Sequence, residues 1–287
     1  MLNLFHREIA EMMRPRFGAD ATREARYVIQ AACDITPEQF LGGVTLSDMQ
    51  QQRARDWAMQ RVAGMPLSRL KGVREFYGLE FVINEATLDP RPDSEVLVEQ
   101  ALKLKERYQG TVPPVIVDFG TGSGCLLIAI LANWPEARGI GIDLSANALQ
   151  AAQENAVRNG VAGRAMFVRS SWGDALSEHV CQLLISNPPY IPQADIDSLE
   201  PEVKKHDPIL ALEGGIDGLD AYKNILAQLK HVLTPGGHAL FEIGQGQADD
   251  LTRLVGDTGA NLEGIHLDSG GIQRVVGISY GDKSFFD

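Results

Sequence analysis

Two short segments combine chemically useful residue types with a position directly after an apolar run. The glycine-rich segment 120–124 follows Val115–Phe119, and the segment 187–190 follows Leu183–Ser186. Both apolar runs have the length and composition of buried β-strands. In open α/β sheets, ligands bind beyond the carboxyl ends of the strands. The sequence therefore predicts that these two segments form parts of one site.

The first segment reads Gly120-Thr121-Gly122-Ser123-Gly124. Glycine suits a turn between a strand and a helix, because it allows a sharp bend and a close backbone approach to a ligand. The spacing G-x-G-x-G differs from the dinucleotide fingerprint G-x-G-x-x-G, and the Lys-Ser/Thr pair of a P-loop is absent. We predict a cofactor site at this turn.

Two further residues favour a cofactor that contains a nucleoside. Asp143 ends the next predicted strand and could accept hydrogen bonds from ribose hydroxyls, while Trp172 follows the third strand and could cover an adenine ring. A surface aspartate and a core tryptophan are the alternative interpretations. The same layout would serve a nicotinamide dehydrogenase, but the sequence shows no further His, Lys or Tyr constellation for hydride transfer.

The second segment, Asn187-Pro188-Pro189-Tyr190, indicates the reaction class. An amide or exocyclic amine nitrogen is a poor nucleophile, because its lone pair is delocalised. The Asn187 side-chain oxygen and the Pro188 carbonyl could each accept an N–H of such a group and orient it towards a methyl sulfonium. The two prolines stiffen the backbone, and Tyr190 offers a flat face to the acceptor. We predict methyl transfer to nitrogen, with Asn187, Pro188 and Tyr190 as catalytic groups. The alternative is an ordinary loop after a strand.

The elements that would position these segments alternate between strands and helices from residue 94 onward. Such alternation predicts an α/β fold with a mostly parallel sheet, and the short segment Asp268–Gly271 predicts an antiparallel final hairpin. Seven strands with an antiparallel last strand are typical of class I, Rossmann-like methyltransferases. The predicted strands are Val115–Phe119, Arg138–Asp143, Ala165–Arg169, Leu183–Ser186, His238–Ile243, Asn261–His266 and Arg274–Tyr280.

Three regions are predicted along the chain. Residues 1–72 form a small helical-bundle domain, residues 73–93 a β-hairpin linker, and residues 94–287 the methyltransferase domain. In the first region, Thr36 and Ser47 begin capping-box signals, and one helix follows Asp20. The helix after Ser47 is expected to bury one side, with Met49, Ala54, Trp57, Ala58 and Val62.

Charge and composition exclude several functional classes. The net charge is −12, yet residues 1–74 hold 11 Lys/Arg against 8 Asp/Glu, so the remainder is strongly acidic. An acidic main domain is a poor match for a nucleic-acid backbone, so no stable nucleic-acid binding is expected. The longest apolar run, Cys125–Ala132, is far shorter than the roughly 20 residues that span a bilayer, so no membrane association is expected.

The three cysteines lack the spacing of a disulfide framework or a zinc site, so no metal is expected. Acidic residues at positions 8 and 11 argue against a signal peptide. A reduced, cytoplasmic setting is therefore expected.

With these residues together, the chain resembles the HemK/PrmC family, methyltransferases that modify the glutamine of peptide-chain release factors. The resemblance covers nearly the whole chain. Its segments are Gly72–Phe76, Ala86–Leu88, Pro90–Glu95, Asp118–Gly124, Asp143, Trp172, Asn187–Tyr190, Glu242 and Arg274-Val275. The chain departs from the family pattern at Lys204-Lys205-His206, where an Arg and a Glu-Pro pair are expected before Asp207-Pro208.

The resemblance implies an enzyme that uses S-adenosyl-L-methionine and releases S-adenosyl-L-homocysteine. It implies that the donor is bound by Gly120, Thr121, Gly122, Ser123, Gly124, Asp143, Trp172 and Asn187. The glutamine amide would be held by Asn187, Pro188, Pro189 and Tyr190. The implied substrate is the glutamine of the Gly-Gly-Gln loop of class I release factors, with the helical domain as the docking element.

Other functions share parts of this pattern. Methyltransferases of the adenine amino group in DNA or RNA use the same Asn-Pro-Pro-Tyr chemistry, but this chain lacks a basic target-recognition region. A ribosomal-protein glutamine methyltransferase differs mainly in its N-terminal domain and stays open. A donor-binding sensor or scaffold would be favoured by a broken acceptor motif, and the motif is intact here.

Overall fold

The computed structural model describes residues 2–108, 110 and 112–281. The predicted ends of the first and last regions, Met1 and residues 282–287, lie outside this range. The chain divides into two compact units. One comprises Met1–Gly72 with Glu200–His206, and the other comprises Val73–Leu199 with Asp207–Asp287.

The smaller unit consists of helices. They are α1 (Leu2–Phe17), α2 (Ala21–Cys33), α3 (Pro37–Leu41), α4 (Asp48–Val62), α5 (Leu67–Lys71) and, from later in the chain, α9 (Pro201–His206). Its core is formed mainly by apolar side chains of α1, α2 and α4, among them Ile9, Met13, Val28, Ile29 and Ala54. Glu202 of α9 accepts hydrogen bonds from Arg16 and Arg61, each at 2.8 Å.

Both predicted capping boxes are confirmed. The Thr36 hydroxyl accepts from the Gln39 backbone N–H, and the Ser47 hydroxyl accepts from that of Gln50, while each glutamine side chain bonds back to the cap. Such a cap stabilises a helix start by about 1 kcal/mol. The prediction that Met49 is buried is wrong, because this side chain is 83% exposed. It follows the cap on the solvent side, and Ala54 and Ala58 alone of the five predicted residues are fully buried.

Helix α1 was not among the predicted helices. Its apolar residues Phe5, Ile9 and Met13 do recur at helical spacing and are buried. Pro15 lies in its last turn, and a proline within a helical pattern argues against a helix. Packing of the buried side chains stabilises the helix despite this proline.

The larger unit begins with the predicted hairpin. Strands β1 (Val73–Phe76) and β2 (Leu79–Val82) pair in antiparallel orientation. The two residues of the turn, Tyr77 and Gly78, both have positive φ, 52° and 72°. Such a turn has the twist that joins neighbouring antiparallel strands.

A seven-stranded sheet forms the centre of this unit and confirms the predicted α/β fold class. Its strands are β3 (Val115–Phe119), β4 (Arg138–Asp143), β5 (Ala165–Arg169), β6 (Cys181–Ser186), β7 (Leu233–Glu242), β8 (Asn261–Leu267) and β9 (Gln273–Ser279). The order across the sheet is β5-β4-β3-β6-β7-β9-β8. Strands β3 to β7 run parallel, while β9 is antiparallel to both of its neighbours, as the short final connection predicted.

Helices cover both faces of the sheet. Alternate residues of β3 point to opposite sides, so that Ile116 packs in one core and Val117 in the other. The helices of the unit are α6 (Glu95–Lys103), α7 (Cys125–Asn133), α8 (Ala146–Arg158), α10 (Asp220–Val232) and α11 (Ala248–Gly256). The first core contains side chains of α6 and α7, and the second contains those of α10 and α11. Within the described residues, no helix combines the length and apolar character needed to cross a membrane.

Candidate active site

A cavity lies beyond the carboxyl ends of β3, β4, β5 and β6, within the larger unit. Its lining includes the glycine turn after β3, Asp143 at the end of β4, Trp172 after β5 and Asn187 after β6. The carboxyl ends of four strands therefore meet at this cavity, as expected for a parallel sheet with helices on both faces. Of the predicted site residues, the cavity is lined by Gly120, Thr121, Gly122, Ser123, Asp143, Trp172, Asn187 and Pro189.

The glycines of the turn have two different tasks. Gly120 and Gly122 have positive φ, 72° and 56°, and a Cβ on either would meet no other atom closer than 3.9 Å. Their backbone therefore leaves space on the cavity side. Gly124 is not part of the lining, and a Cβ there would lie 2.9 Å from Ile128 Cδ1 and 3.2 Å from Ala152 Cβ. This glycine permits close packing of α7.

Asp143 organises the turn as well as lining the cavity. Its Oδ2 accepts the Gly122 N–H at 2.9 Å, and its Oδ1 accepts the Ser145 N–H at 2.9 Å. The backbone N–H groups of Gly120 and Thr121 donate to the Ile142 carbonyl at 2.9 Å. The end of β4 therefore fixes the turn after β3. Each carboxylate oxygen of Asp143 retains a lone pair for a further donor.

Asp118 lies behind the turn and received no separate role from the sequence. Its Oδ2 accepts the Thr121 hydroxyl at 2.7 Å, whereas its Oδ1 is buried without a hydrogen-bond partner among the described residues. Burial raises the pKa of this carboxyl to about 7; the Thr121 hydrogen bond opposes the shift and the Asp143 charge adds to it. The sequence does draw attention to this residue, because an acidic side chain is rarely found within a buried, apolar strand.

Trp172 lines the cavity in a left-handed backbone conformation. Its φ is 44°, which is uncommon for a bulky side chain. The indole packs against Phe119 with ring centroids 6.1 Å apart, and a Cβ on Gly120 would lie 3.9 Å from its Cζ3 atom. The ring therefore lies beside the glycine turn, with part of its surface exposed to the cavity.

Hydrogen bonds to two other segments of the chain hold the Asn187–Tyr190 segment in place. Asn187 Nδ2 donates to Ser94 Oγ at 3.3 Å, and the Tyr190 carbonyl accepts from Gln247 Nε2 at 3.0 Å. Pro188 is buried and Tyr190 is half-buried, and neither is part of the cavity lining. Burial, with a smaller effect of the Glu242 charge, raises the pKa of the Tyr190 hydroxyl to about 12, so this group stays protonated at neutral pH.

Two segments that the sequence did not assign to the site complete its wall. One contributes Ala86, Leu88, Pro90, Arg91 and Ser94, and the other contributes Pro208, Leu210 and Ala211. An ion pair joins them, with Arg91 and Asp207 2.6 Å apart at their nearest atoms. The segments are more than 100 residues apart in sequence, so no local pattern could reveal that they meet.

The cavity is lined both by Asp143 and Trp172, the predicted contacts of a nucleoside, and by Asn187, the predicted contact of the acceptor. Among the described residues, no group of His, Cys, Asp and Glu could hold a metal ion, and the three cysteines are free. The polar groups of the lining can position a reacting group and form hydrogen bonds with it.

Comparison with known proteins agrees with this geometry. The family model for the methyltransferase small domain matches residues 84–202. A release factor glutamine methyltransferase of Bradyrhizobium diazoefficiens is 44% identical over 87% of this chain and 84% of its own length. That of Rhodospirillum rubrum is 39% identical over 94% of this chain and 80% of its own length.

A solved structure shows the same fold at much lower sequence identity. A methyltransferase from Pyrococcus furiosus is 14% identical, with a TM-score of 0.52 over 79% of this chain and 99% of its own. This likeness concerns the fold alone.

Proposed function

The chain belongs to the family of release factor glutamine methyltransferases, so it is a methyltransferase, and we propose that it methylates the side-chain amide nitrogen of the glutamine in the Gly-Gly-Gln loop of class I release factors. The methyl donor is S-adenosylmethionine. One observation carries the proposal: a single cavity is lined by both the glycine turn and Asn187. Donor and acceptor can therefore meet in it.

The residues at the donor end fit S-adenosylmethionine. The cofactor supplies an electrophilic methyl group on a sulfonium. Asp143 retains lone pairs for ribose hydroxyls, and Trp172 offers a ring face to adenine. Gly120 and Gly122 leave room for close approach. Thr121 and Ser123 also line this end, whereas Gly124 supports it through packing.

At the acceptor end, Asn187 and Pro188 orient the glutamine nitrogen. Asn187 Nδ2 already donates to Ser94, which leaves the side-chain Oδ1 to accept an N–H of the substrate amide. Pro189 lines the cavity beside it, whereas Tyr190, outside the lining, stays protonated and does not act as a base. When bound, S-adenosylmethionine would supply the methyl group and leave as S-adenosylhomocysteine; Asn187 and Pro188 would hold the glutamine nitrogen for this transfer, and the N–H proton, made acidic by it, would leave to solvent.

The helical region 1–72 serves, in this proposal, to bind the release factor. Its support is the contrast between its basic balance, 11 Lys/Arg against 8 Asp/Glu in residues 1–74, and the acidic remainder of the chain. Two apolar side chains of this unit, Leu41 and Met49, are 80% and 83% exposed. Such side chains are available to a protein partner.

A labelling experiment tests the function. The purified chain is incubated with methyl-labelled S-adenosylmethionine and, separately, with a release factor, its Gly-Gly-Ala variant, a ribosomal protein and duplex DNA. We expect label in the release factor alone, and none in the variant. Label in the ribosomal protein or the DNA in place of the release factor would overturn the substrate assignment. Absence of label in all four would overturn the proposed activity.

A further inference from the structure

Glu242, the last residue of β7, has a buried carboxyl group and lies beside Asn187, because Ser186 of β6 pairs with Phe241 of β7. Its side chain is 2% exposed, and its Oε2 atom has no hydrogen-bond partner among the described residues. Asn187 Nδ2 donates to Ser94 Oγ at 3.3 Å, and both side chains act on the carboxyl group. A buried acid of this kind is costly to maintain, so it calls for a function. The residue does not line the cavity, whereas Ser94 and Asn187 do.

The amide of Asn187 can face the cavity with either its oxygen or its nitrogen. The two orientations have nearly the same shape, and only the surrounding hydrogen bonds select one of them. Ser94 Oγ accepts from Asn187 Nδ2, but a hydroxyl can donate as readily as it accepts. Ser94 alone therefore cannot decide the orientation. An ionised carboxylate can decide it, because it only accepts hydrogen bonds.

We propose that Glu242 is a positioning residue, which holds the Asn187 amide with its nitrogen directed inward and its oxygen directed to the substrate. This proposal rests on the proposed function and extends it to a residue outside the cavity. The Ser94 hydroxyl donates to the carboxylate and thereby presents its lone pairs to Asn187. One chain of hydrogen bonds then runs from Glu242 through Ser94 to the amide that receives the substrate.

The charge of Glu242 makes this device sensitive to pH. Burial raises the pKa of the carboxyl to about 7, partly opposed by the Ser94 and Asn187 hydrogen bonds and by the Arg274 charge. Protonation would give Glu242 an O–H that can donate to Asn187 Oδ1 and favour the wrong orientation. The other charged or titratable groups that act on it are Arg274, Asp93, Cys125, Tyr190 and Tyr222. Burial keeps the last three neutral across pH 6–9, because it raises the pKa of Cys125 and of Tyr190 to about 12 and the pKa of Tyr222 well above its ordinary value.

The test measures single-turnover methyl transfer to the release factor at saturating donor, between pH 6 and 9. For the wild type, we expect the rate to rise with pH around a midpoint near 7. Glu242→Gln has the same shape without the charge, and its amide can donate to Asn187 Oδ1. We expect about a tenfold to hundredfold lower rate, as for other small misplacements in a site, and no such rise with pH. Glu242→Asp should recover part of the rate.

Three controls separate this proposal from its alternatives. Glu263→Gln changes another carboxylate of the sheet, on β8, which accepts the Ser279 hydroxyl at 2.7 Å away from the cavity; its rate and pH profile should match the wild type. Donor affinity and melting temperature should be unchanged in Glu242→Gln. A Glu242→Gln rate and pH profile equal to the wild type would overturn the positioning role. Absence of methyl transfer by the wild type would instead overturn the proposed function.

Discussion

Asp143 illustrates how one side chain can serve both the ligand and the loop that holds it. Its two carboxylate oxygens accept the N–H groups of Gly122 and Ser145. From the sequence, only a contact with ribose hydroxyls was expected, because an acid at a strand end is a local pattern. The bond to Gly122 depends on the pairing of β3 with β4, which brings residues 21 positions apart together.

We predict that Asp143→Ala weakens donor binding by about tenfold to a hundredfold, since hydrogen bonds to a charged group contribute roughly 1.5–3 kcal/mol. Calorimetric titration with S-adenosylmethionine measures this change. Asp174→Ala is the matched control, because Asp174 follows the same strand end as Trp172 but is exposed and does not line the cavity. Donor affinity equal to that of the control, with an unchanged melting curve, would remove Asp143 from the site.

Asn187 is the residue whose loss should affect the chemistry more than donor binding. Asn187→Ala removes the oxygen that orients the substrate nitrogen, and loss of one positioned polar group typically costs on the order of 10²–10³ in rate. We expect this loss in methyl transfer at saturating donor, an intermediate rate for Asn187→Asp, and a much smaller loss of donor affinity. Asn133→Ala, at an exposed position on α7, serves as the control. Near-normal turnover of Asn187→Ala would contradict the assignment of a nitrogen acceptor.

At the scale of elements, the sequence predicted the sheet well and its surroundings less well. The strands were found because their apolar runs are buried on both faces, as in Leu183–Ile185, where all three residues are fully buried. The sequence predicts that β7 begins at His238, whereas the strand begins at Leu233. Pro235 and Gly236 are typical of a turn, but the strand pairs with β6 on both sides of them. Cys181 pairs with Leu233 and Leu183 pairs with His238, with a register shift between the two pairs.

The cavity, like the sheet, could be predicted from the sequence only in part. The glycine turn and Asn187 follow strands, so their convergence was predictable from the topology of parallel sheets. The segments around Arg91 and Pro208 meet the cavity only through tertiary contacts, chiefly the Arg91–Asp207 ion pair. The structure was needed to show that they complete the wall.

We predict that this ion pair retains the donor. The Asp207 side chain is 3% exposed and that of Arg91 is 40% exposed, so the pair is only partly screened by solvent. Arg91→Ala should weaken donor affinity about fivefold, roughly the 1 kcal/mol of a partly exposed pair, mainly through faster dissociation. Stopped-flow displacement measures the dissociation rate. Arg158→Ala, which breaks the exposed pair with Glu80 outside the cavity, should leave this rate unchanged. Equal dissociation rates in both variants would contradict the prediction.

At the scale of the whole molecule, we propose that the larger unit carries out methyl transfer and that the helical unit binds the protein substrate. The prediction for Met49 fails because, at about 100° per residue, its position nine residues before Ala58 places it on the opposite side of α4. Met49 follows the Ser47 cap on the solvent side, while Ala54 and Ala58 face the core. An exposed methionine is a flexible contact for a partner surface.

We predict that the double variant Leu41→Ser/Met49→Ser binds the donor normally but methylates the intact release factor poorly. Both side chains are at least 80% exposed, so their replacement should leave the melting temperature unchanged. Loss of two apolar contacts with a partner, at about 1 kcal/mol each, corresponds to roughly a tenfold to thirtyfold lower kcat/KM. A short peptide that carries the Gly-Gly-Gln sequence reaches only the cavity. The double variant should therefore methylate this peptide with the kcat/KM of the wild-type enzyme. Val157→Ser, at a 69% exposed apolar position on α8, is the control and should affect neither substrate. If the double variant methylates the intact release factor at the wild-type rate, this surface of the helical unit does not bind the substrate.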